Sequence, residues 1–582
     1  MAKEMQFEKL ISTFGENIDV NCPLPEYPRP QMVRDSYINL NGQWDYAILD
    51  NSQKLSEYQG KITVPFSPES ILSGVDKIVM PTDVLYYKRT FELPECFNVG
   101  RVLLNFGAVD YLAKVFVNGK EVATHRGGYF PFSIDITDAL VDGVNSLSLE
   151  VTDPSDTKGQ SRGKQKLKRG GIFYTPQSGI WQTVWLESVP QNYIQELYTT
   201  PDIDTATVKF ELVTPGAIED ATVEIYDGGE KVAEGKFDNN VAVIKIDGFK
   251  LWSPEEPNLY DVVIKADEDI ITSYFGMRKF SIAKDEHGYA RIMLNNKQYF
   301  HNGLLDQGYW SDGLYTPPSE EAIIYDIAQT KEMGFNMLRK HIKIEPARWY
   351  YHCDRLGVLV WQDMINGGMG ANKPLNGFLG FINATPKDSW YALYGRQDAD
   401  ERAEYYVDLE RTVKGLYNVV SLALWVPFNE SWGQFDANKA VEEIKKLDTT
   451  RPIDHASGWH DQGGGDFKSL HIYFRPVTIP KDERSVILSE FGGYSYKVDG
   501  HVFNKVKSFG YKKYDTQEGF EKAYHKLFEE QVIPYIPKGL SATVYTQLTD
   551  VEDEINGILT YDRKVIKLDV EKLRDLNKKL TY

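Results

Sequence analysis

Alternation of apolar and polar positions dominates the first third of the chain. In Ser146-Leu147-Ser148-Leu149-Glu150-Val151 every second residue is apolar, the two-residue period of a strand with one buried face. Residues 102–106 (VLLNF) and 113–117 (AKVFV) are further short apolar stretches. Asn118-Gly119 follows the second and predicts a tight hairpin, because both central residues of such a turn need positive φ. Residues 181–187 (WQTVWLE) supply another strand. Many short strands without long helices predict a jelly-roll β-sandwich over residues 1–189. The rhythm repeats at 207–213, 221–226, 241–246 and 260–264, with Pro254 and Pro257 in a turn. That length and strand number predict an immunoglobulin-like β-sandwich over 190–281.

From residue 282 helical stretches alternate with short apolar runs, the mark of βα units. Strands are predicted at 299–305, 336–340, 358–363, 421–426, 452–455, 469–473, 485–490 and 542–547. Ser319 caps a helix with Glu320 and Glu321 in its first turn and Gly334 beyond its end; Pro346 begins the next and Gly357 stops it. Eight strands in this length predict a (β/α)8 TIM barrel over 282–582. Residues 364–397 read as a long Gly- and Asn-rich loop over the barrel mouth, a position that usually carries function.

Composition changes this picture little. The net charge of −19 opposes nucleic acid and anionic membranes, and no apolar run is long enough to span a bilayer. One basic stretch, residues 158–169 (KGQSRGKQKLKR), reads as a solvated loop, with contact to an anion as the alternative. Cys22, Cys96 and Cys353 are isolated, which fits reduced thiols in a cytoplasm, and the N-terminus carries no apolar leader. The 36 Tyr, 28 Phe and 11 Trp suit either large β cores or stacking against sugar faces.

Barrel active sites lie at the C-terminal ends of the strands. The fourth predicted strand ends in Val426-Pro427-Phe428-Asn429-Glu430-Ser431-Trp432-Gly433, the seventh in Ser489-Glu490-Phe491-Gly492-Gly493. Two carboxylates after buried runs suit glycosidic-bond cleavage, with Glu430 donating the proton and Glu490 attacking the anomeric carbon. Asn429 is placed to hold a substrate hydroxyl, and Trp432 to supply an apolar wall. Asn429-Glu430-Ser431 also matches a glycosylation sequon, read as coincidence. No HExxH, P-loop, GxSxG or CxxC is present.

These motifs resemble glycoside hydrolase family 2, the group of β-galactosidases, β-glucuronidases and β-mannosidases, over nearly the whole chain. RPQMVRDSYINLNGQWDY, VPFSPES, YYKRTFELP, FGAVDYLAKVFVNGKEVATHRGGYFPF and SGIWQTVWLE are similar to the family's sugar-binding jelly roll. FGMRKFSI resembles the end of its immunoglobulin-like domain, VPFNESWG the acid/base motif, SEFGG the nucleophile segment and TQLTDVEDEINGILTYDRK the barrel end. The resemblance implies a retaining exo-glycosidase working through a covalent glycosyl-enzyme, with a carbohydrate substrate, no cofactor and no catalytic metal, in a family whose members are often homo-oligomers. It implies substrate contacts at the strand ends: Asp306, Arg339, His341, Asp363, His471, Tyr473 and Tyr545. Family glucuronidases carry Asn-x-Lys before the Gly-Ile-Phe-Thr-Arg-Asp-Arg segment, but this chain has Glu554-Ile555-Asn556, which argues against glucuronic acid. A β-galactosidase-like specificity is expected, with a β-galactofuranosidase, α-L-arabinofuranosidase, β-mannosidase or β-glucuronidase as alternatives. A non-catalytic glycan-binding protein is the rival of another class; it predicts degraded carboxylates, and both are intact.

Overall fold

The computed structural model describes residues 7–582 apart from residue 383; the expectation about the N-terminal leader falls in part on residues 1–6, outside the described residues. Two antiparallel sheets form the N-terminal sandwich. One runs Ile38–Asn39, Val184–Val189, Arg101–Phe106, Phe132–Asp135; the other runs Gly60–Val64, Gly42–Asp50, Asp83–Glu92, Val144–Thr152, Leu112–Val117, Lys120–Arg126. The alternation of 146–151 is realised as Leu147, Leu149 and Val151 turned into a core with Trp44, Tyr87 and Leu104. Asn118 and Gly119 have φ of 51° and 79°, as their hairpin requires. The second sandwich pairs Glu196–Asp202, Thr207–Val213 and Val241–Lys245 in one sheet. Glu230–Lys236, Ala221–Asp227, Tyr260–Ala266 and Asp269–Phe275 form the other. Arg34 joins the two sandwiches, bonding Glu187 at 3.1 Å and Asp269 at 2.7 Å.

The C-terminal region is a parallel barrel. Its strands are β1 His301–Asp306, β2 Met337–Lys340, β3 Leu359–Asp363, β4 Leu422–Val426, β5 Phe467–Ile472, β6 Ser485–Gly492 and β7 Leu540–Thr546. They pair in the order β4-β3-β2-β1-β7-β6-β5. The expected strand at 452–455 is instead an irregular segment in the gap between β4 and β5. Pro452 has no N–H to donate, so the ladder is broken from the start. The segment still closes the wall, through Asp454 N to Trp425 O at 2.9 Å, Ser457 N to Phe428 O at 2.8 Å and Asp466 N to Ile453 O at 2.9 Å. Met337, Leu359, Trp361, Ile487 and Val544 fill the interior.

Helix α1 (Glu320–Glu332) starts where Ser319 Oγ accepts from Ala322 N, and α2 (Ala347–Leu356) stops at Gly357 in the left-handed conformation. The expected loop at 364–397 is partly helical, with α3 (Lys373–Phe381) and the single turn α4 (Tyr391–Tyr394). Asn372 caps α3 and Pro374 sits in its first turn. Helices α5 (Ala399–Gly415), α6 (Ala437–Leu447), α7 (Gln517–Gln531) and α8 (Val570–Asn577) complete the outer layer. No helix among the described residues is long and apolar enough to cross a membrane.

Candidate active site

Two local irregularities aim the central carboxylates. After β4 the chain turns with Glu430 and Ser431 at φ of 46° and 62°, left-handed values that non-glycine residues adopt only under constraint. Glu430 N donates to Ser457 O at 2.9 Å, so the closing segment clamps this turn. On β6 the pairing with β7 slips between Leu488 and Phe491, and the pairing with β5 slips between Leu470 and His471. Such slips re-aim side chains, and these fall where Glu490 and His471 leave the strands. Gly492 and Gly493 follow because a Cβ would come within 2.3 Å of Tyr545 at the first and 2.3 Å of Tyr511 at the second.

Glu430 and Glu490 face each other across His471. The nearest ligand atoms of the three residues all lie within 4.8 Å of one another, an arrangement that could also hold a metal ion. His471 Nδ1 is 2.8 Å from Glu430 Oε1 and 3.6 Å from Glu490 Oε2. Its Nε2 is 3.1 Å from Ser457 Oγ, which joins Ser469 and Ser489 in a hydroxyl cluster. Arg339 is fully buried and donates to Glu490 Oε1 at 3.1 Å, Asn429 Oδ1 at 2.8 Å and both oxygens of Asp363. Tyr473 donates its hydroxyl to Glu490 Oε2. His341 Nδ1 is 2.7 Å from Asp363 Oδ2.

The electrostatics favour a charge on Glu490. Burial works against a charge on Glu490, yet His471, the Arg339 guanidinium and the Tyr473 hydroxyl outweigh it and bring its pKa down to about 2. Glu490 is therefore ionised at neutral pH. Burial pushes His341 well below the ordinary imidazole value and so keeps it neutral. Burial also raises Asp363, against the pull of Arg339.

Above these groups opens a cavity of about 550 Å³, with Phe173, Asn366, Trp432, Trp459, Tyr473 and Tyr511 among its walls. Trp432 lies stacked on Phe173 at 5.2 Å and Tyr473 on Tyr511 at 3.7 Å. The segment after β3 contributes Asn366 to Ala371 and the α3 face carrying Asn376 and Phe381, so its placement over the mouth matches the expectation.

The structure brings together Asn429, Glu430, Glu490, Arg339, His341, Asp363, Trp432, His471 and Tyr473. Two expected contacts are corrected. Asp306 points out of the barrel, where Lys340 Nζ at 2.6 Å and Gly308 N at 2.8 Å occupy its carboxylate. Tyr545 is fully buried against Phe491, Tyr524 and Phe528, and its hydroxyl accepts from Tyr494 N at 3.2 Å. A third correction concerns the basic stretch, which is no solvated loop. Gln165 and Lys164 are 2% and 7% exposed. Arg162 N and Gly163 N bond Asn366 O, and Gly159 N bonds Glu401 Oε1 at 2.8 Å, which pins the stretch against the barrel mouth. Phe173, Lys164 and Tyr511 escaped the strand-end reading because all three arrive on loops.

Residues 61–181 match the family model described as a glycosyl hydrolase 2 galactose-binding domain-like unit. Residues 192–278 match glycosyl hydrolases family 2, and 289–565 the TIM barrel domain of that family. A β-glucuronidase of Streptococcus agalactiae serotype V is 23% identical over 78% of this chain and 73% of its own length. A β-galactosidase of Photobacterium profundum is 23% identical over 80% of this chain and 48% of its own, so the chain spans about half of that relative. Among solved structures, a β-D-glucuronidase from Dictyoglomus thermophilum superposes with a TM-score of 0.74 at 19% identity, covering 95% of this chain and 99% of that one.

Proposed function

Because this chain belongs to glycosyl hydrolases family 2, we propose that it is a retaining glycosidase that removes terminal sugars through a covalent glycosyl-enzyme. The observation that carries the reading is the spacing of Glu430 and Glu490. Oxygens within 4.8 Å suit direct attack by one carboxylate, whereas the inverting arrangement spreads the pair to roughly 6.5–9.5 Å to admit a water. Glu490, held ionised, attacks the anomeric carbon while Glu430 gives its proton to the departing oxygen. Glu430 then takes a proton from water, which attacks the anomeric carbon and releases Glu490. Asn429, fixed by Arg339, supplies its amide N–H to a sugar hydroxyl beside the reacting carbon. The relatives' names divide between β-galactosidase and β-glucuronidase; the sequence favours a β-galactosidase-like enzyme, with furanosides as an alternative.

Incubation with a 2-deoxy-2-fluoro glycosyl fluoride tests the chemistry. Mass spectrometry of the digested protein should find the sugar ester on the Glu490 peptide. Glu430→Gln should lower turnover of unactivated glycosides by on the order of 10² to 10⁴-fold. A label on another residue, or full activity in Glu490→Gln, sinks the assignment of the nucleophile; no hydrolysis of any glycoside by the wild type would leave a glycan-binding role.

A further inference from the structure

Among the described residues, the basic stretch at 158–169 leaves one buried charge without a hydrogen bond or ion pair. Lys164 is 7% exposed, and among the described residues its ammonium forms no ion pair or hydrogen bond. Its Nζ lies 5.4 Å from the Trp432 ring and 5.7 Å from the Tyr174 ring, two residues from Glu430 in sequence at the first of these. An ammonium taken out of water costs several kcal/mol unless paired, and the flanking ring faces offset only part of that. The neighbouring carboxylates are committed elsewhere. Asp363 is held by Arg339 and His341. Glu554 accepts from Tyr174 OH and, at 3.0 Å, from Asn556 Nδ2. Burial raises the Glu554 carboxyl and the Lys164 charge pulls it back, so the two groups sense each other without touching. Arg162 and Lys166 of the same stretch line the cavity, and Lys164 lies between them in sequence, packed behind Trp432, itself a cavity wall.

We propose that Lys164 is the anion-recognition residue of the sugar site, and that the substrate is a glycoside of an acidic sugar, a hexuronic acid whose carboxylate pairs with this ammonium. The proposal rests on the glycosidase reading above. It reverses the ground on which the sequence argued against a uronate. The lysine absent beside Asn556 is supplied by a loop of the N-terminal sandwich, beside Tyr174 and Trp432, and Glu554, tied to Tyr174 and Asn556, does not present a free repelling charge.

The test compares 4-nitrophenyl β-D-galactopyranoside, β-D-galacturonide, β-D-glucuronide and 6-O-sulfo-β-D-galactoside on the wild type, Lys164→Met and Lys164→Arg. The wild type should prefer a uronide, and Lys164→Met should lower the ratio of uronide to neutral kcat/KM by on the order of 100-fold, the scale of removing one partner of a buried charge pair. Lys164→Arg should retain most of that ratio. As a readout independent of turnover, calorimetry on Glu490→Gln should show free galacturonate or glucuronate binding more tightly than galactose, and Lys164→Met should erase the difference. A wild type that prefers the neutral galactoside, or a Lys164→Met that leaves the ratio unchanged, overturns the proposal alone. A preference for the sulfated sugar keeps the anion site and overturns the carboxylate. Inactivity on every β-glycoside and on furanosides defeats the glycosidase reading, and the calorimetric comparison then judges Lys164 by itself.

Discussion

His471 sits where a single side chain governs both carboxylates. Its Nδ1 touches Glu430 and its Nε2 is steadied by Ser457, so the imidazole orients the residue proposed to protonate the leaving oxygen. Removing it should therefore harm departure of poor leaving groups first. In His471→Asn, kcat on a phenyl glycoside should fall by on the order of 10- to 100-fold, the worth of one charge-assisted hydrogen bond. A 2,4-dinitrophenyl glycoside, which leaves without protonation, should lose far less. An equal loss on both substrates would show that His471 only shapes the pocket. At this scale the sequence is informative where a residue ends a buried run, as at Glu430 and Glu490, while Arg339 follows from the family resemblance. It misled at Asp306, because one residue of register turns a strand-end side chain out of the barrel. It misled at Tyr545 because packing by Phe491, Tyr524 and Phe528 is long-range.

Elements explain why the site residues lie where they do. The slips on both sides of β6 and the two glycines after Glu490 form one device. Tyr511 packs flat on Gly493 and stacks on Tyr473, which in turn holds Glu490. Gly493 has φ of 63° and no room for a methyl, so Gly493→Ala should push Tyr511 away and loosen Tyr473. The expected result is a folded enzyme with about tenfold lower kcat/KM and a Tm lower by about 1–2 °C, from roughly 1 kcal/mol of backbone strain. Circular dichroism melts and steady-state kinetics check it; unchanged kinetics would mean that the Tyr511 stack contributes nothing. Seven of the eight barrel strands expected from periodicity are formed, whereas the failure of 452–455 to form a ladder is not readable there. A proline at its start weakens the strand, but whether the gap closes by other bonds depends on Phe428 and Asp466, which periodicity does not reach.

At the scale of the molecule, buried acids set how stability responds to pH. Glu69 in the first sandwich is pushed up to about 8 by burial, although Val79 N and Ser178 N donate to it. Asp408 on α5 is raised to about 7, again chiefly by burial. Both hold a proton more tightly folded than unfolded. Their contribution is complete below the ordinary carboxylate pKa of about 4 and is lost as pH rises through about 7 to 8. The Tm should accordingly fall between pH 6 and 9, and Glu69→Gln should flatten the upper part of that fall. A Tm that stays level or rises over this range would contradict the assignment. Arg34, bonded to Glu187 and Asp269, keeps the two sandwiches in register, and the pinned stretch 158–169 carries that order on to the barrel mouth.

That stretch has a consequence for how such an enzyme changes over generations. The proposed bond-breaking groups stand at the ends of barrel strands, where a substitution disturbs a packed core. Lys164 stands on a surface excursion of a different fold, tethered by main-chain bonds that most side chains leave intact. Preference for one sugar over another can then be explored by mutation in the excursion, while the chemistry, encoded some 270 to 330 residues away in the chain, stays sheltered from the search.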